Sequence, residues 1–253
     1  MREEHITSRQ NPLLQHIRKL QTSRSYRSEC GSFVAEGTKL LEEAAKYWPG
    51  LQTVVCREGL ELCSLPEHVR VVRVPESVLK SISTVETPQG ALFVCALPEK
   101  RTASVAPGMV LLDGIQDPGN LGTILRTADA LNVPVALLDG CADPYSFKTV
   151  RASMGAVFRM EVPSLTADEA VRQCEEKNLM LTATAMTSRA VDIRKADLSK
   201  AVTIIGSEGR GVRPALLEQA RQSVIIPMQS HCESLNAAIA AAIIMWQLAS
   251  DRA

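Results

Sequence analysis

Apolar residues recur at helical spacing near the start of the chain, at Leu13, Leu14, Ile17 and Leu20. The stretch HITSRQNPLLQHIRKLQ therefore predicts a helix, with Asn11 able to cap it and Pro12 already holding a helical φ at the first position. A short strand is expected at Phe33–Ala35. A helix over Thr38–Tyr47 sets Leu40, Leu41, Ala44 and Ala45 on one face. β-branched runs at Thr53–Cys56, Val69–Val74 and Ala91–Cys95 predict further strands, with short helical pieces around Leu60 and Val78 between them. This alternation predicts a small α/β domain over residues 1–97.

Periodicity lapses in ALPEKRTASVAPG, which reads as a linker over 98–106. A second domain, 107–253, opens with the apolar run Met109–Leu112, closed by Asp113-Gly114. Further buried-strand candidates are Val135–Leu138, Val157–Val162, Met180–Thr184, Val202–Ile205 and Val224–Ile226, with helices including Leu121–Leu131 and Ala167–Lys177. Continuous apolar strands separated by helices predict a mostly parallel sheet covered on both faces. The last segment, SLNAAIAAAIIMWQLAS, is apolar nearly all round. It is too short for a membrane span and is interrupted by Asn236 and Gln247, so it reads as a buried helix. Its alanines would let a neighbouring helix approach closely, including one from a second subunit.

Composition narrows the picture. The chain has 28 Lys+Arg and 28 Asp+Glu, which argues against a protein that coats nucleic acid electrostatically. A local basic patch stays open near the start, at Arg2, Arg9, Arg18, Lys19, Arg24 and Arg27; the alternative is a solvated helix face. Aromatics are only 4%, too few for a large stacking platform. Seven cysteines occur without a CxxC pair, giving little support for zinc or redox chemistry. No metal site is expected. The charged start MREEHITSRQ shows no signal peptide, and free thiols suit a reducing, cytoplasmic setting.

Three loops follow buried-strand candidates, where an open parallel sheet places its ligands. In LLDGIQDPGNLGTILRTADAL, Asn120 is a plausible helix cap and Gly119 and Gly122 permit close backbone approach. Arg126 follows on an otherwise small and apolar helix. Such an arginine is more often a surface or salt-bridge residue, but it can hold a phosphate bidentately. In VTIIGSEGRGVRP, Gly206, Gly209 and Gly211 surround Glu208. This GxxGxG is neither a dinucleotide fingerprint nor a P-loop, and a tight turn without ligand explains it equally well. In VIIPMQSHCESLNAAIAAAI, Ser234 suits an N-cap, while Asn236 needs polar partners that a site wall would supply. The adjacent His231 and Cys232 make a poor nucleophile–base pair, since such partners usually meet from distant positions.

In this order, NLGTILRTADA, IIGSEGRGV and IPMQSHCESLNAAIAAAI resemble motifs 1, 2 and 3 of the SpoU (TrmH-like) RNA 2′-O-ribose methyltransferases. DPYSFKTVRASMGAVFRMEV, residues 143–162, resembles that family's linking segment. ITSRQNPLLQHIRKL…FVAEGTKLLEEA resembles the substrate-binding domain often attached to it, itself similar to ribosomal RNA-binding proteins. The likeness spans nearly the whole chain. It departs mildly at Ser207, where Asn is common, and at Ser230-His231-Cys232, which replaces a more glycine-rich loop.

The resemblance implies a C-terminal parallel sheet with a deep trefoil knot, a homodimer through the C-terminal domain and S-adenosylmethionine as cofactor. It implies cofactor contacts at Thr184, Gly206, Glu208, Gly209, Ile226, Met228, Ser234 and Leu235. It implies a catalytic set of Arg126, Asn120, Glu208, Ser234 and Asn236, with Arg126 assisting loss of the 2′-hydroxyl proton as base or electrostatically. The substrate implied is RNA. The attached domain leans towards ribosomal RNA; transfer RNA methylation, or RNA binding without catalysis on the same fold, are the alternatives. No membrane partner is implied.

Overall fold

The computed structural model describes residues 3–250 except 100, 101, 189, 230 and 233. Arg2, Lys100, Arg101 and Ser230 lie outside the described residues. The chain divides into two units: Met1–Glu99 with Asp143–Arg159, and Lys100–Ala142 with Met160–Ala253.

The first unit holds β1 (Glu3–His5), α1 (Pro12–Thr22), α2 (Arg24–Cys30), β2 (Ser32–Glu36), α3 (Thr38–Tyr47), β3 (Leu51–Arg57), β4 (Arg70–Val74), α4 (Glu76–Lys80) and β5 (Ala91–Ala96). The five strands form a mixed sheet in the order β1-β4-β3-β5-β2. Asn11 caps α1 as expected, its Oδ1 accepting from Leu13 N at 2.9 Å. Leu14, Ile17 and Leu20 pack with Val34, Val72 and Val94 in one core.

Two further helices of this unit come from later in the chain. These are α6 (Phe147–Ala152) and α7 (Ala156–Arg159). The strand expected at Val157–Val162 is instead helix α7 over its first residues. A short apolar run does not distinguish a strand from a buried helical turn, and here Val157 and Phe158 are buried from a helix. Phe158 and Tyr145 join Phe33 and Trp48 in an aromatic cluster, with ring centroids 5.1–6.2 Å apart. Arg27 is 4% exposed and grips Asp143 through Nε at 2.9 Å and Nη2 at 2.6 Å. It is therefore a structural ion pair and no part of a basic patch. No helix forms around Leu60, where Gly59 turns the chain at φ +73°.

The second unit is built on β6 (Val110–Asp113), α5 (Pro118–Ala130), β7 (Val135–Leu137), α8 (Ala167–Glu176), β8 (Met180–Thr184), β9 (Val191–Asp192), β10 (Ala201–Gly206), α9 (Pro214–Gln219), β11 (Gln222–Ile225) and α10 (Ala237–Ser250). Its six strands are all parallel, in the order β7-β6-β10-β8-β11-β9. α8 and α9 cover one face over Leu111, Ala183 and Ile204. α10 lies against β10 and along α5.

Residues 103–105, read as linker, are part of this unit. Ala103 and Val105 are buried. Gln173 holds them by accepting from Val105 N and donating to Ala103 O, both at 2.9 Å. Lys177 adds bonds to Ser104 Oγ and Val105 O. Two small apolar residues gave no periodic signal, yet they complete the core. Among the described residues, no helix is long and apolar enough to cross a membrane.

Candidate active site

The carboxyl ends of β6, β8, β10 and β11 open on one side of the second unit's sheet, and each continues into a loop that carries polar residues. The loop after β6 leads into α5. Here the cap is Asp117, whose Oδ1 accepts from Asn120 N at 2.8 Å, and not Asn120 as the sequence suggested. Pro118 at the first helical position fits Asp117 as cap. The shift places Asn120 inside the first turn and frees its side chain.

The loop after β10 is a closed turn. Ser207 and Gly211 exchange backbone bonds, at 3.2 Å from Ser207 N and 2.9 Å from Gly211 N. The turn folds back so tightly that a Cβ at Gly206 would lie 2.0 Å from the Gly211 carbonyl carbon and 2.1 Å from Val212 N. Glycine at 206 is thus a steric requirement. Glu208, Gly209, Arg210 and Gly211 are all exposed.

The loop after β11 ends at α10, and the cap there is Asn236. Its Oδ1 accepts from Ala238 N at 2.9 Å and Ile239 N at 3.3 Å. Ser234, expected to cap, stands two residues too early and is exposed. The Asn236 amide nitrogen donates to Asn120 Oδ1 at 3.0 Å. Asn120 Nδ2 donates in turn to Glu208 Oε1. Donors therefore point in one direction, from the α10 amino terminus through two amides to the Glu208 carboxylate. Charge-assisted bonds of this kind are the stronger ones, and linked bonds polarise one another.

Beside this chain of bonds lies a cavity of about 400 Å³. Its wall is largely apolar, from residues such as Ile193, Ile205, Leu217, Val224 and Ile244. Thr184, Gly206, Glu208, Gly209, Ile226, Met228, Ser234 and Leu235 all line it. Ile226 and Met228 lie beyond the last residue of β11, so their main-chain groups are outside its ladder. A largely apolar slot of this size suits an adenine nucleoside-sized ligand.

Arg126 is not drawn into these contacts. It lies six residues beyond Asn120 on α5, about 9 Å along the helix axis at 1.5 Å per residue. It is exposed, on a stripe with Gly119, Thr123 and Ala130, and has no hydrogen-bond or ion-pair partner among the described residues. His231 and Cys232 are exposed, with Cys232 N bonded to Gln229 O.

Two residues of this region escaped the sequence reading. Asp113, 3% exposed at the end of β6, binds Arg213. That bond holds the guanidinium above its ordinary pKa. The available signal was an acid ending an otherwise apolar strand. Among the described residues, no cluster of His, Cys, Asp and Glu suits a metal ion.

The chain is similar to known proteins along its length. Residues 107–246 match the SpoU rRNA Methylase family, and residues 11–92 match the MRM3-like substrate binding domain. The 23S rRNA (guanosine(2553)-2′-O)-methyltransferase RlmP of Bacillus subtilis (strain 168) is 33% identical, over 97% of this chain and 99% of that protein. The crystal structure of an AdoMet-bound rRNA methyltransferase from Sinorhizobium meliloti superposes with a TM-score of 0.84 at 30% identity, covering 97% of each chain. With its motifs in family order and Asn120, Glu208 and Asn236 brought together at the carboxyl ends of the strands, the chain belongs to the SpoU rRNA methylase family.

Proposed function

We propose that this protein transfers a methyl group from S-adenosylmethionine to a ribose 2′-hydroxyl of ribosomal RNA. The observation that carries the reading is the convergence of Asn120, Glu208 and Asn236 from three separate segments of the chain, with Glu208 also lining the cavity. The relatives' names support the reaction class and the RNA type, and the substrate-binding match supports an RNA partner.

The cavity suits the cofactor through main-chain groups around Gly206, Ile226, Met228 and Leu235, with Thr184, Glu208, Gly209 and Ser234 at its wall. When bound, S-adenosylmethionine supplies an electrophilic methyl group on a sulfonium, so the cofactor carries the difficult chemistry. What remains for the protein is alignment of the ribose oxygen and help with its proton. Glu208, held by Asn120, provides a fixed anionic wall. The part of Arg126 is electrostatic: its guanidinium lowers the hydroxyl pKa and holds the neighbouring phosphate.

Arg126 meets the other groups across a homodimer in this reading. Ile239, Ile243 and Trp246 on α10 are 52%, 36% and 65% exposed, an apolar stripe that a second copy would cover. The trefoil threading of the second unit and residence in the cytoplasm belong to the same proposal. All seven cysteines are free thiols, which suits a reducing compartment.

The test is direct. Protein, labelled S-adenosylmethionine and ribosomal RNA are combined, and 2′-O-methyl positions are mapped. One new ribose methylation is expected; its absence from both ribosomal and transfer RNA, with cofactor bound, would reduce the protein to an RNA binder.

A further inference from the structure

Asp113 closes β6 and pairs with Gly206 of β10 across the sheet. Both of its buried carboxylate oxygens are taken by one residue. Arg213 N donates to Oδ2 at 2.8 Å, while Arg213 Nε and Nη2 reach Oδ1 at 2.7 and 2.5 Å. Nη2 also donates to Asp139 O at 2.7 Å, just past the end of β7. One arginine thereby ties together the chain leaving three adjacent strands.

We propose that Asp113 and Arg213 form a clamp that sets the 207–212 turn so that Glu208 meets Asn120. Neither is a catalytic residue; both act by positioning. Asp113 stands at the root of the loop leading to Asn120. Arg213 stands where the turn bearing Glu208 ends. The pair therefore fixes the bases of both loops to each other. The Ser207–Gly211 backbone pair closes the turn on itself, but its four exposed residues 208–211, two of them glycine, leave its placement relative to Asn120 to be set at its base. Misplacement by about 1 Å is enough to cost about 10²-fold in rate.

A guanidinium fork is required, because it alone spans Asp113 and Asp139 O together. Arg213→Lys keeps a positive charge beside the buried carboxylate but cannot make that span. The catalytic side of this inference rests on Glu208 serving the transfer site; the clamp itself does not.

The experiment uses the full chain and two readouts. Hydrogen exchange of the cofactor-free protein is followed in peptides covering 206–213 and β8. Arg213→Lys is expected to speed exchange of 206–213 by about fivefold or more and to leave β8 unchanged. Asp113→Asn, which keeps an acceptor for Arg213 N, should act in the same direction. Unchanged exchange in both variants overturns the clamp. Methyl transfer is then measured for Arg213→Lys, Glu208→Gln and the double variant. A clamp acting through Glu208 predicts a kcat loss of about tenfold or more for Arg213→Lys alone, and under about threefold in the Glu208→Gln background. Equal losses in both backgrounds show that Arg213 does not act through Glu208 and overturn the proposal. Wild-type kcat in Glu208→Gln would remove Glu208 from the site, leaving the clamp to be decided by exchange.

Discussion

Asn236 and Asn120 stand 116 positions apart in the chain and share a hydrogen bond of 3.0 Å. Asn236 performs two tasks with opposite ends of one amide: its oxygen caps α10 and its nitrogen orients Asn120. Substitutions can separate the two. Asn236→Asp keeps the cap acceptor but loses the donor, and it sets a second carboxylate near Glu208. Stability should stay within about 0.5 kcal/mol of wild type, since Asp and Asn cap comparably, while transfer falls more than about tenfold. Asn236→Ala should lose both, with about 1 kcal/mol of stability. Chemical denaturation and single-turnover transfer check the pair. Retained activity in Asn236→Asp would show the amide bridge to be idle.

Arg126 is exposed and unpaired among the described residues, so removing it leaves no buried partner stranded. Arg126→Ala should leave cofactor affinity within about threefold by calorimetry. Transfer should drop by about 10²–10³, the usual cost of one electrostatic stabiliser. Turnover near wild type would exclude Arg126 from the chemistry.

Trp246, at 65% exposure, is the most exposed of the three large apolar side chains on α10. Trp246→Glu puts a charge where the proposed homodimer would bury an aromatic ring. Sedimentation should show wild type as a dimer and the variant as a monomer at micromolar concentration. A wild-type monomer would refute the dimer directly.

Glu36 offers a pH test of the first unit. Burial raises its carboxyl above the ordinary range, opposed only in part by bonds from the Ser83 hydroxyl and the Thr84 backbone. Between the ordinary and the raised value, the folded chain holds a proton that the unfolded chain has released. Stability therefore falls as pH climbs through that window. Above it, the native state carries a buried carboxylate whose Oε2 lacks a hydrogen-bond partner among the described residues. Glu36→Gln removes the charge and keeps an acceptor for Ser83. Its thermal midpoint should exceed that of wild type at pH 8, and the gain should shrink towards pH 4. An equal gain at both pH values would contradict the titration.

Strands such as Val202–Ile205 and Val110–Leu112 were legible because a parallel sheet buried on both faces demands unbroken apolar runs. The loops were legible as loops, and eight of the residues lining the cavity were named by the motif resemblance, while apolar ones such as Ile193, Leu217 and Ile244 were not. Caps were harder. Asp117, Asn120, Ser234 and Asn236 all suit caps by residue type; Pro118 singles out Asp117 locally, whereas residue type alone does not separate Ser234 from Asn236. The Gly206 contact was invisible, because a close approach between residues five apart depends on how the turn folds. Val157 misled for a different reason: a short buried apolar run looks the same in sequence whether the backbone is helix or strand.

The segment Asp143–Arg159 bears on how such proteins can be cut and recombined. It interrupts the second unit in sequence but folds with the first, pinned by Arg27 and by aromatic packing. A fragment starting at residue 107 would expose Tyr145, Phe147 and Phe158 to water, with no β2–β5 sheet to receive them. Exchanging the amino-terminal module for another therefore means replacing two stretches of chain together, so the two parts of this gene are constrained to change in concert.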